Sequence, residues 1–330
     1  MRELILKALK QEKTVSGQEL GERLNISRSA VWKHIKEFRS QGYEIASSPQ
    51  AGYSLIKNTP LLLAAEIESG LNTQFIGKRI LHFSEVPSTQ DIAAQLAIEG
   101  ALDGTVVISE MQTNGRGRKG RSWLSLPEGG IYLSIILRPR LMPSQAVQIP
   151  LVAGVALANA IIKTASLQPQ IKWPNDIVIG KKKVAGILTE MSSEIDGIKY
   201  VILGIGLNVN IPGSLFTGQN AGIATSLLSA GGKSISRAQL VQGFLNEFET
   251  IYMQYLTSGF ISVRETWKNL NNTLGSRVKV DNAGKEIQGE AIDIDNEGFL
   301  LVKTDVGDIC RVISGDVFIT DPVDRHIDHI

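Results

Sequence analysis

The stretch Gln112-Thr113-Asn114-Gly115-Arg116-Gly117-Arg118-Lys119-Gly120-Arg121-Ser122-Trp123 holds three glycines, four cations and no acid. An apolar, β-branched run, Thr105-Val106-Val107-Ile108, precedes it, and Gly130-Ile131-Tyr132-Leu133-Ser134-Ile135-Ile136-Leu137 follows. Short apolar runs bounded by turn residues read as buried strands, so the stretch is a loop between two strands of a core sheet. Glycines let a backbone approach a ligand closely, and backbone amides with cations suit a phosphate. The spacing Gly115-x-Gly117-x-x-Gly120 matches the dinucleotide fingerprint, but that motif needs a helix opening at its last glycine. Here Trp123-Leu124-Ser125-Leu126-Pro127 follows, then a strand. From the loop alone, a phosphate cradle and a solvated basic loop both stay open.

Upstream, a strand from Arg79 to Phe83 leads into Ser88-Thr89-Gln90-Asp91. Ser88 with Asp91 three residues later predicts a capped helix, carried by Ile92, Leu96 and Ala97. Such an end beside a strand can cap its own helix or receive a polar ligand group. Downstream, the strand closes at Arg138-Pro139, and residues 148–164 predict an alanine-rich helix buried against the sheet. In Ile171-Lys172-Trp173-Pro174-Asn175-Asp176-Ile177-Val178-Ile179, Pro174 fits poorly inside a central strand. It marks a bend that turns Asn175 and Asp176 toward a cleft. Gly180-Lys181-Lys182 is a turn, and Lys183 opens the next strand with its direction set by the pleat. The run Val201 to Asn210 is a buried strand with Gly204 and Gly206 on alternate positions. Those glycines seat either a flat ligand or a closely packed helix. Residues 211–226 lack periodicity and are expected to be mobile. Ser236 starts a long helix with Leu240, Phe244, Phe248 and Tyr255 on one face, and Phe260 to Leu270 forms another.

The N-terminal sequence predicts helix, helix, turn, helix, hairpin. Residues 2–10 form a first helix with Leu4, Ile5, Ala8 and Leu9 inward. Ser16-Gly17-Gln18-Glu19 has capping-box spacing, and Asn25 ends that second helix. Ser27 caps a third, in which Val31, Ile35 and Phe38 face a core and Arg28, Ser29, Lys33 and Lys36 face out. Trp32 falls between the core rim and the groove, with packing the preferred reading. Two alternating runs around Ser47-Ser48-Pro49-Gln50-Ala51-Gly52 make a hairpin. This is a winged helix-turn-helix, a module used for DNA or for protein contact; its basic face and wing together favour DNA, with the third helix read into a major groove and Ser27, Arg28, Ser29, Lys33 and Lys36 as its DNA contacts. Thr59-Pro60 ends the module, with Thr59 read as cap and Pro60 as first residue of a linker helix. From Leu274 onward, short strands and turns predict a small β-barrel.

Residues 1–60 hold ten Lys/Arg against six Asp/Glu, although the whole chain is only +1. A basic N-terminal module implies an anionic partner. One cysteine, Cys310, excludes an internal disulfide and agrees with a reducing cytoplasm. Residues 1–7 lack the apolar core of an export signal, and the longest apolar run, Leu151 to Ile162, is too short to span a bilayer. A soluble protein with no membrane association is expected. The four histidines are scattered, so neither a metal site nor a Ser-His or Cys-His nucleophile is expected.

The loop Gln112 to Trp123 resembles the signature loop of biotin–protein ligases. Lys172-Trp173-Pro174-Asn175-Asp176 and Lys183-Val184-Ala185-Gly186-Ile187-Leu188 resemble two further motifs of that family, in the family's order. The similarity covers nearly the whole chain, and with its N-terminal module the sequence resembles the bifunctional biotin–protein ligase/biotin operon repressor family. That resemblance implies an α+β fold in three parts. These are a winged helix-turn-helix at 1–60, a central mixed-sheet ligase domain at 61–271 with a class II synthetase-like fold, and an SH3-like β-barrel at 272–330. It implies an ATP- and Mg²⁺-dependent biotin–[biotin carboxyl carrier protein] ligase that forms biotinyl-5′-AMP and passes biotin to a carrier-domain lysine. Biotinyl-5′-AMP would also act as corepressor, so the implied partners are a biotin carboxyl carrier domain, operator DNA and a second copy of the chain in a ligand-promoted homodimer.

The resemblance assigns biotin binding to Ser88, Thr89, Gln90, Gln112, Arg116, Gly117, Arg118 and Lys183, and adenylate binding to Arg121, Trp123, Asn175 and Asn208. Catalysis falls to Arg116, Arg118, Lys183 and Asp176. The family's Ser-Thr-Asn is Ser88-Thr89-Gln90 here, which keeps the amide but lengthens its arm. No aromatic lies between Thr217 and Ser226, so Trp123 is the nearer candidate to stack on adenine. Two other readings remain, a ligase for a related acyl cofactor such as lipoate and a non-enzymatic, ligand-sensing DNA-binding regulator.

Overall fold

A computed structural model describes residues 1–48, 51–194, 197–282 and 285–321. The expected wing tip at Pro49-Gln50 and the histidines His326 and His329 lie outside them. The chain divides into two compact units, residues 1–65 and 66–330.

In the first unit, α1 (Arg2–Gln11), α2 (Gly17–Leu24) and α3 (Arg28–Ser40) precede an antiparallel hairpin of β1 (Glu44–Ser48) and β2 (Gly52–Lys57). Ser16 Oγ accepts from Glu19 N at 3.0 Å and Ser27 Oγ from Ala30 N at 3.2 Å, so both predicted caps form. Asn25, at φ 53°, takes the left-handed conformation that ends α2. The core joins Ile5, Leu6 and Leu9 of α1 to Leu20, Val31, Ile35 and Phe38. The phase of α1 differs from the expectation: Leu6 is buried and Leu4 is exposed. The hairpin returns to the chain before α2, where Val15 and Tyr53 exchange backbone hydrogen bonds of 2.8 and 2.9 Å. Gly52 permits this approach: at φ +94°, a Cβ there would fall 2.4 Å from Val15 O. Pro60 does not open a helix. Thr59 Oγ1 donates to Gln41 O at 2.5 Å and accepts from Leu61 N at 3.1 Å, and α4 (Ala64–Glu68) starts four residues later.

The second unit is built on a seven-stranded sheet in the order β3-β4-β5-β9-β8-β7-β6. Its strands are β3 (Ile80–Val86), β4 (Val106–Gln112), β5 (Gly130–Leu137), β6 (Gln170–Lys172), β7 (Asp176–Ile179), β8 (Lys182–Glu194) and β9 (Gly197–Asn208). Only β3 and β4 run parallel, joined through α5 (Thr89–Ile98), so the sheet is mixed. Ala93, Ala97 and Ala101 pack on Val107, Ile136 and Ile202, which places α5 on one face. Side chains alternate along a strand, so Gly204 and Gly206 share the face of Ile202. The N-terminus of α5 stops at Gly204, and the rest of that face is left uncovered by the helix.

The opposite face carries α6 (Ile149–Ala165), whose Gly154 sits against Ile171 and Ile187. The helical stretch 143–165 is longer than the apolar run read from sequence and reaches membrane-spanning length, but 72% of its apolar window is buried inside the unit, as in a core helix. After α7 (Leu227–Gly231), α8 (Arg237–Ser258) is capped at Ser236 and stacks Phe244, Phe248 and Tyr252 along its buried face. Next comes α9 (Ile261–Leu270), whose Val263 and Trp267 are buried. A five-stranded antiparallel sheet closes the chain, in the order β13-β12-β11-β10-β14. It consists of β10 (Arg277–Asn282), β11 (Lys285–Ile294), β12 (Leu300–Thr304), β13 (Ile309–Val312) and β14 (Asp316–Asp321).

Candidate functional site

The uncovered sheet face is the floor of a cavity of about 890 Å³. That volume is in the range of small-molecule sites. The glycine-rich loop forms part of its wall. No α-helix opens at Gly120: the loop makes one 3₁₀ turn at Arg118–Gly120, and Gly117 N donates to Arg121 O at 2.7 Å. Tyr132 anchors the far end of the loop. Its hydroxyl donates to Leu126 O at 3.0 Å and accepts from Leu126 N at 2.8 Å, and burial pushes its pKa up to about 12.

Ser88, Thr89, Gln90 and Gln112 line one part of the cavity. Gln112 Oε1 accepts from Thr89 N at 2.8 Å and Thr89 Oγ1 at 3.1 Å, while Gln112 Nε2 donates to Ser125 Oγ at 3.1 Å. Ser88 precedes α5 but its side chain does not cap the helix. Its Oγ is buried without a partner, so the hydroxyl stays available to a bound polar group. Gln90 is committed within the protein: its Oε1 accepts from Ser134 Oγ at 2.9 Å and its Nε2 donates to Glu190 at 3.1 Å. Its longer arm carries the amide over Gly204, where a Cβ would fall 2.6 Å from Oε1.

Two residues along β9, Gly206 lies beneath the Trp123 indole, and a Cβ there would come within 2.5 Å of the ring. The chain's own side chains pack on both glycines, Gln90 of α5 at Gly204 and the Trp123 ring at Gly206. Lys183 Nζ is 5.4 Å from the Trp123 ring centroid and 2.7 Å from Asp176 Oδ1. The turn at residues 173–175 brings Asn175 and Asp176 to the cavity, and the Trp173–Pro174 bond within it is cis. Asn175 Oδ1 accepts from Arg118 at 3.0 Å, and its Nδ2 donates to Ile187 O at 2.8 Å. Asn208 is likewise engaged, donating to Thr225 O at 3.0 Å.

The loop cations each meet partners on other elements. Arg116 pairs with Asp91 at 2.7 Å and Glu190 at 3.2 Å, all three well exposed, so the contacts orient the side chain and add little stability. Arg121 and Lys119 both reach Asp316, at 2.6 and 3.4 Å, and Arg118 also donates to Gly315 O at 3.3 Å. Burial lowers the Arg118 pKa, with Asp316 and Asp176 opposing that shift.

The sequence reading missed four contributors. Lys172 lines the cavity, and burial lowers its pKa, with Lys183 adding to the shift and Asp176 opposing it. Asp316 and Phe318 come from β14. Phe216, one residue before the segment searched for an aromatic, also lines the cavity. Lys172 was visible inside its motif, whereas Asp316 has no local signal and needs the tertiary fold. The segment 211–226 has a definite path: Lys183 N donates to Ile223 O at 2.8 Å and Thr225 N to Lys183 O at 2.8 Å.

In the first unit, Ser27, Arg28, Ser29, Lys33 and Lys36 are all exposed. Ser27 is a cap first, and its hydroxyl also lies 2.8 Å from that of Ser29. The assignment of Trp32 to packing is corrected: it is 55% exposed, with Lys36 Nζ 5.5 Å from its ring centroid. Val31 and Ile35 take the inward positions and leave the indole on the outer face.

Residues 83–208 match the Biotin/lipoate A/B protein ligase family, residues 2–54 an HTH domain and residues 273–319 the biotin protein ligase C-terminal domain. The bifunctional ligase/repressor BirA of Bacillus subtilis (strain 168) is 41% identical over 303 residues, covering 92% of this chain and 93% of that relative. Its counterpart in Escherichia coli (strain K12) is 31% identical, with 88% of each chain covered. A solved biotin protein ligase from Aquifex aeolicus, in complex with biotin and ATP, superposes with a TM-score of 0.64 at 29% identity, covering 74% of this chain and 99% of that one. The chain belongs to the bifunctional biotin–protein ligase/repressor family.

Proposed function

We propose that the chain is an ATP-dependent biotin–[acetyl-CoA-carboxylase] ligase that also represses transcription, with biotinyl-5′-AMP as corepressor. One observation carries the reading. The glycine floor of β9 steps from a polar cluster at Thr89, Gln90 and Gln112 to a cationic cluster at Lys183, with Trp123 over the step. A ligand with a hydrogen-bonding head, an apolar body and a carboxylate suits that order. Ser88, Thr89 and Gln112 hold the head, with Gln90 shaping the floor beneath it. Gly117 gives the loop close approach.

In the first step, a biotin carboxylate oxygen attacks the α-phosphorus of ATP, the α–β bridging bond breaks and pyrophosphate leaves. Two anions must meet, so fixed positive charge is the main requirement. Lys183 holds carboxylate and phosphate oxygens, while Arg116 and Arg118 bind phosphates and order the loop, with Asn175 orienting Arg118. Arg121, Trp123, Asn175 and Asn208 form the adenylate site, and Phe216 gives it a second aromatic. In the second step a carrier lysine, as free amine, attacks the acyl carbon and AMP leaves. Asp176 orients that lysine.

Mg²⁺ fits as an ion carried by the nucleotide. Among the described residues no cluster of three ligating side chains could hold it alone. An ion on phosphates needs only one or two carboxylates, and Asp176 and Asp316 line the cavity. It would add charge screening between the two anions.

The class II synthetase-like core, the SH3-like C-terminal barrel and a cytoplasmic location belong to the same proposal. So do operator DNA, read by Ser27, Arg28, Ser29, Lys33 and Lys36 with the hairpin as wing, and a homodimer promoted by adenylate. The test is mass spectrometry of a biotin carrier domain after incubation with the protein, Mg·ATP and either biotin or lipoate. One biotinyl group on one lysine is expected. A lipoyl adduct would instead assign the lipoate reaction, and no adduct with no pyrophosphate would leave a non-enzymatic regulator. Sedimentation of the protein with and without biotin and Mg·ATP tests assembly, and equal dimer fractions across the micromolar range would overturn it.

A further inference from the structure

On the outer face of α3, Trp32 is the side chain that charge alone does not explain. The outer face of α3 is otherwise polar, so the indole, 55% exposed, is the large apolar group that this face offers to a partner. Arg28, Trp32 and Lys36 are spaced four residues apart and form one row on the helix. Ser29 and Lys33 form the adjoining row. The single acid of the helix, Glu37, ends the adjoining row one turn beyond Lys33 and lies against His34 at 3.4 Å, so cations outnumber it on this face. The surroundings of the ring therefore favour an anionic partner over an acidic or neutral protein surface.

We propose that the Trp32 indole is a base-reading contact, packing against the C5-methyl of one thymine in the major groove of the DNA duplex. This rests on α3 being the recognition helix proposed above. Phosphate contacts by Arg28, Lys33 and Lys36 set register and affinity but carry no sequence information. In the major groove the thymine methyl is the apolar mark that distinguishes T from the other bases, and an apolar side chain reads it. Trp32 occupies the first half of α3, the part of a recognition helix that meets base edges. The cation at 5.5 Å from its ring is placed to reach a flanking phosphate while the indole stays in the groove.

The experiment uses the full chain with biotin and Mg·ATP. A randomised duplex pool is enriched by binding, and the enriched duplex is then remade with deoxyuridine replacing one thymidine at a time. Deoxyuridine pairs identically and lacks only the methyl. Burying one such carbon is worth a factor of roughly four in affinity. One position per half-site should show that loss for the unmodified protein and no loss for Trp32→Ala, which should also bind the intact duplex about tenfold more weakly. Trp32→Phe should retain the sensitivity. Lys33→Ala should weaken every duplex alike and lower the salt dependence. Adenylate formation should be unchanged in Trp32→Ala, which shows that the chain is intact. A Trp32→Ala profile matching that of the unmodified protein, or no thymine position that responds, overturns the proposal while leaving DNA binding in place. Failure of the unmodified protein to enrich any sequence overturns it together with the reading of α3.

Discussion

At Gly206 a single missing Cβ decides what can occupy the sheet floor. A methyl there would fall 2.5 Å from Trp123 Cε2, inside a rigid ring that cannot bend away. At Gly204 the neighbour is the tip of Gln90, an unbranched arm that can shift at the expense of its bonds to Ser134 and Glu190. Gly206→Ala is therefore expected to displace the indole and raise KM for biotin and ATP by roughly ten- to a hundredfold, as overpacking a filled site does. Gly204→Ala should do less. Initial rates of pyrophosphate release against each substrate check this, and unchanged constants for Gly206→Ala would remove Trp123 from the ligand site. The sequence marked these glycines as a close-approach surface but not what approached, because a residue 83 positions away supplies the ring. For Trp32 the sequence left the core rim and the groove both open, with packing preferred, for a related reason. Helical periodicity identifies the inward set Val31, Ile35 and Phe38, but an aromatic beside that set is assigned by habit to the core.

At the scale of elements, caps and long periodic runs were legible because their causes are local: Ser16, Ser27 and Ser236 each accept from the amide three residues on. Less legible were elements set by distant partners. Thr59 and Pro60 have the local form of a helix start, yet Thr59 is drawn to Gln41 O and the helix is delayed. Helix α8 begins with Arg237, a cation at the end where the helix dipole disfavours one. The fold offsets this with Glu110 of β4, 2.8 Å away, and with Gly130 O at 2.9 Å, all deeply buried. His82 Nε2 lies 3.1 Å from the other Glu110 oxygen, so the end of α8 is tied through one carboxylate to β3 and β4. Arg237→Met leaves that carboxylate buried without its cation and should cost about 3–5 kcal/mol. A melting scan should show a drop on the order of 10 °C. The double variant Glu110→Leu/Arg237→Met should recover much of it, because apolar replacement of a whole buried pair is often near neutral. A single variant that melts with the unmodified protein would mean that the pair contributes no net stability.

For the molecule as a whole, the division into residues 1–65 and 66–330 separates the two halves of the proposed activity. Every residue lining the cavity lies between Ser88 and Thr320, inside the second unit, and the loop cations are held by Asp91, Glu190, Asp281 and Asp316 of that same unit. The C-terminal sheet is therefore part of the site, since it supplies Asp316 to Arg121 and Lys119. The sequence placed this sheet as a separate barrel because strand spacing is a local signal, whereas its hold on the glycine loop is not. The first unit has its own core of ten buried residues from all three helices and the hairpin. Compact units with separate cores usually keep their structure when separated. Removal of residues 1–65 is thus expected to leave a protein that forms biotinyl-5′-AMP within a few-fold of the full-length rate and retains its unfolding transition, while sequence-specific DNA binding is lost. Truncation after residue 271 should behave differently. It strips Asp316 and Gly315 from the loop, so adenylate formation should fall even if biotin still binds. Single-turnover adenylation and calorimetry on the two truncated chains measure both outcomes. A folded 66–330 chain that binds biotin but no longer adenylates it would show that the N-terminal unit completes the active site.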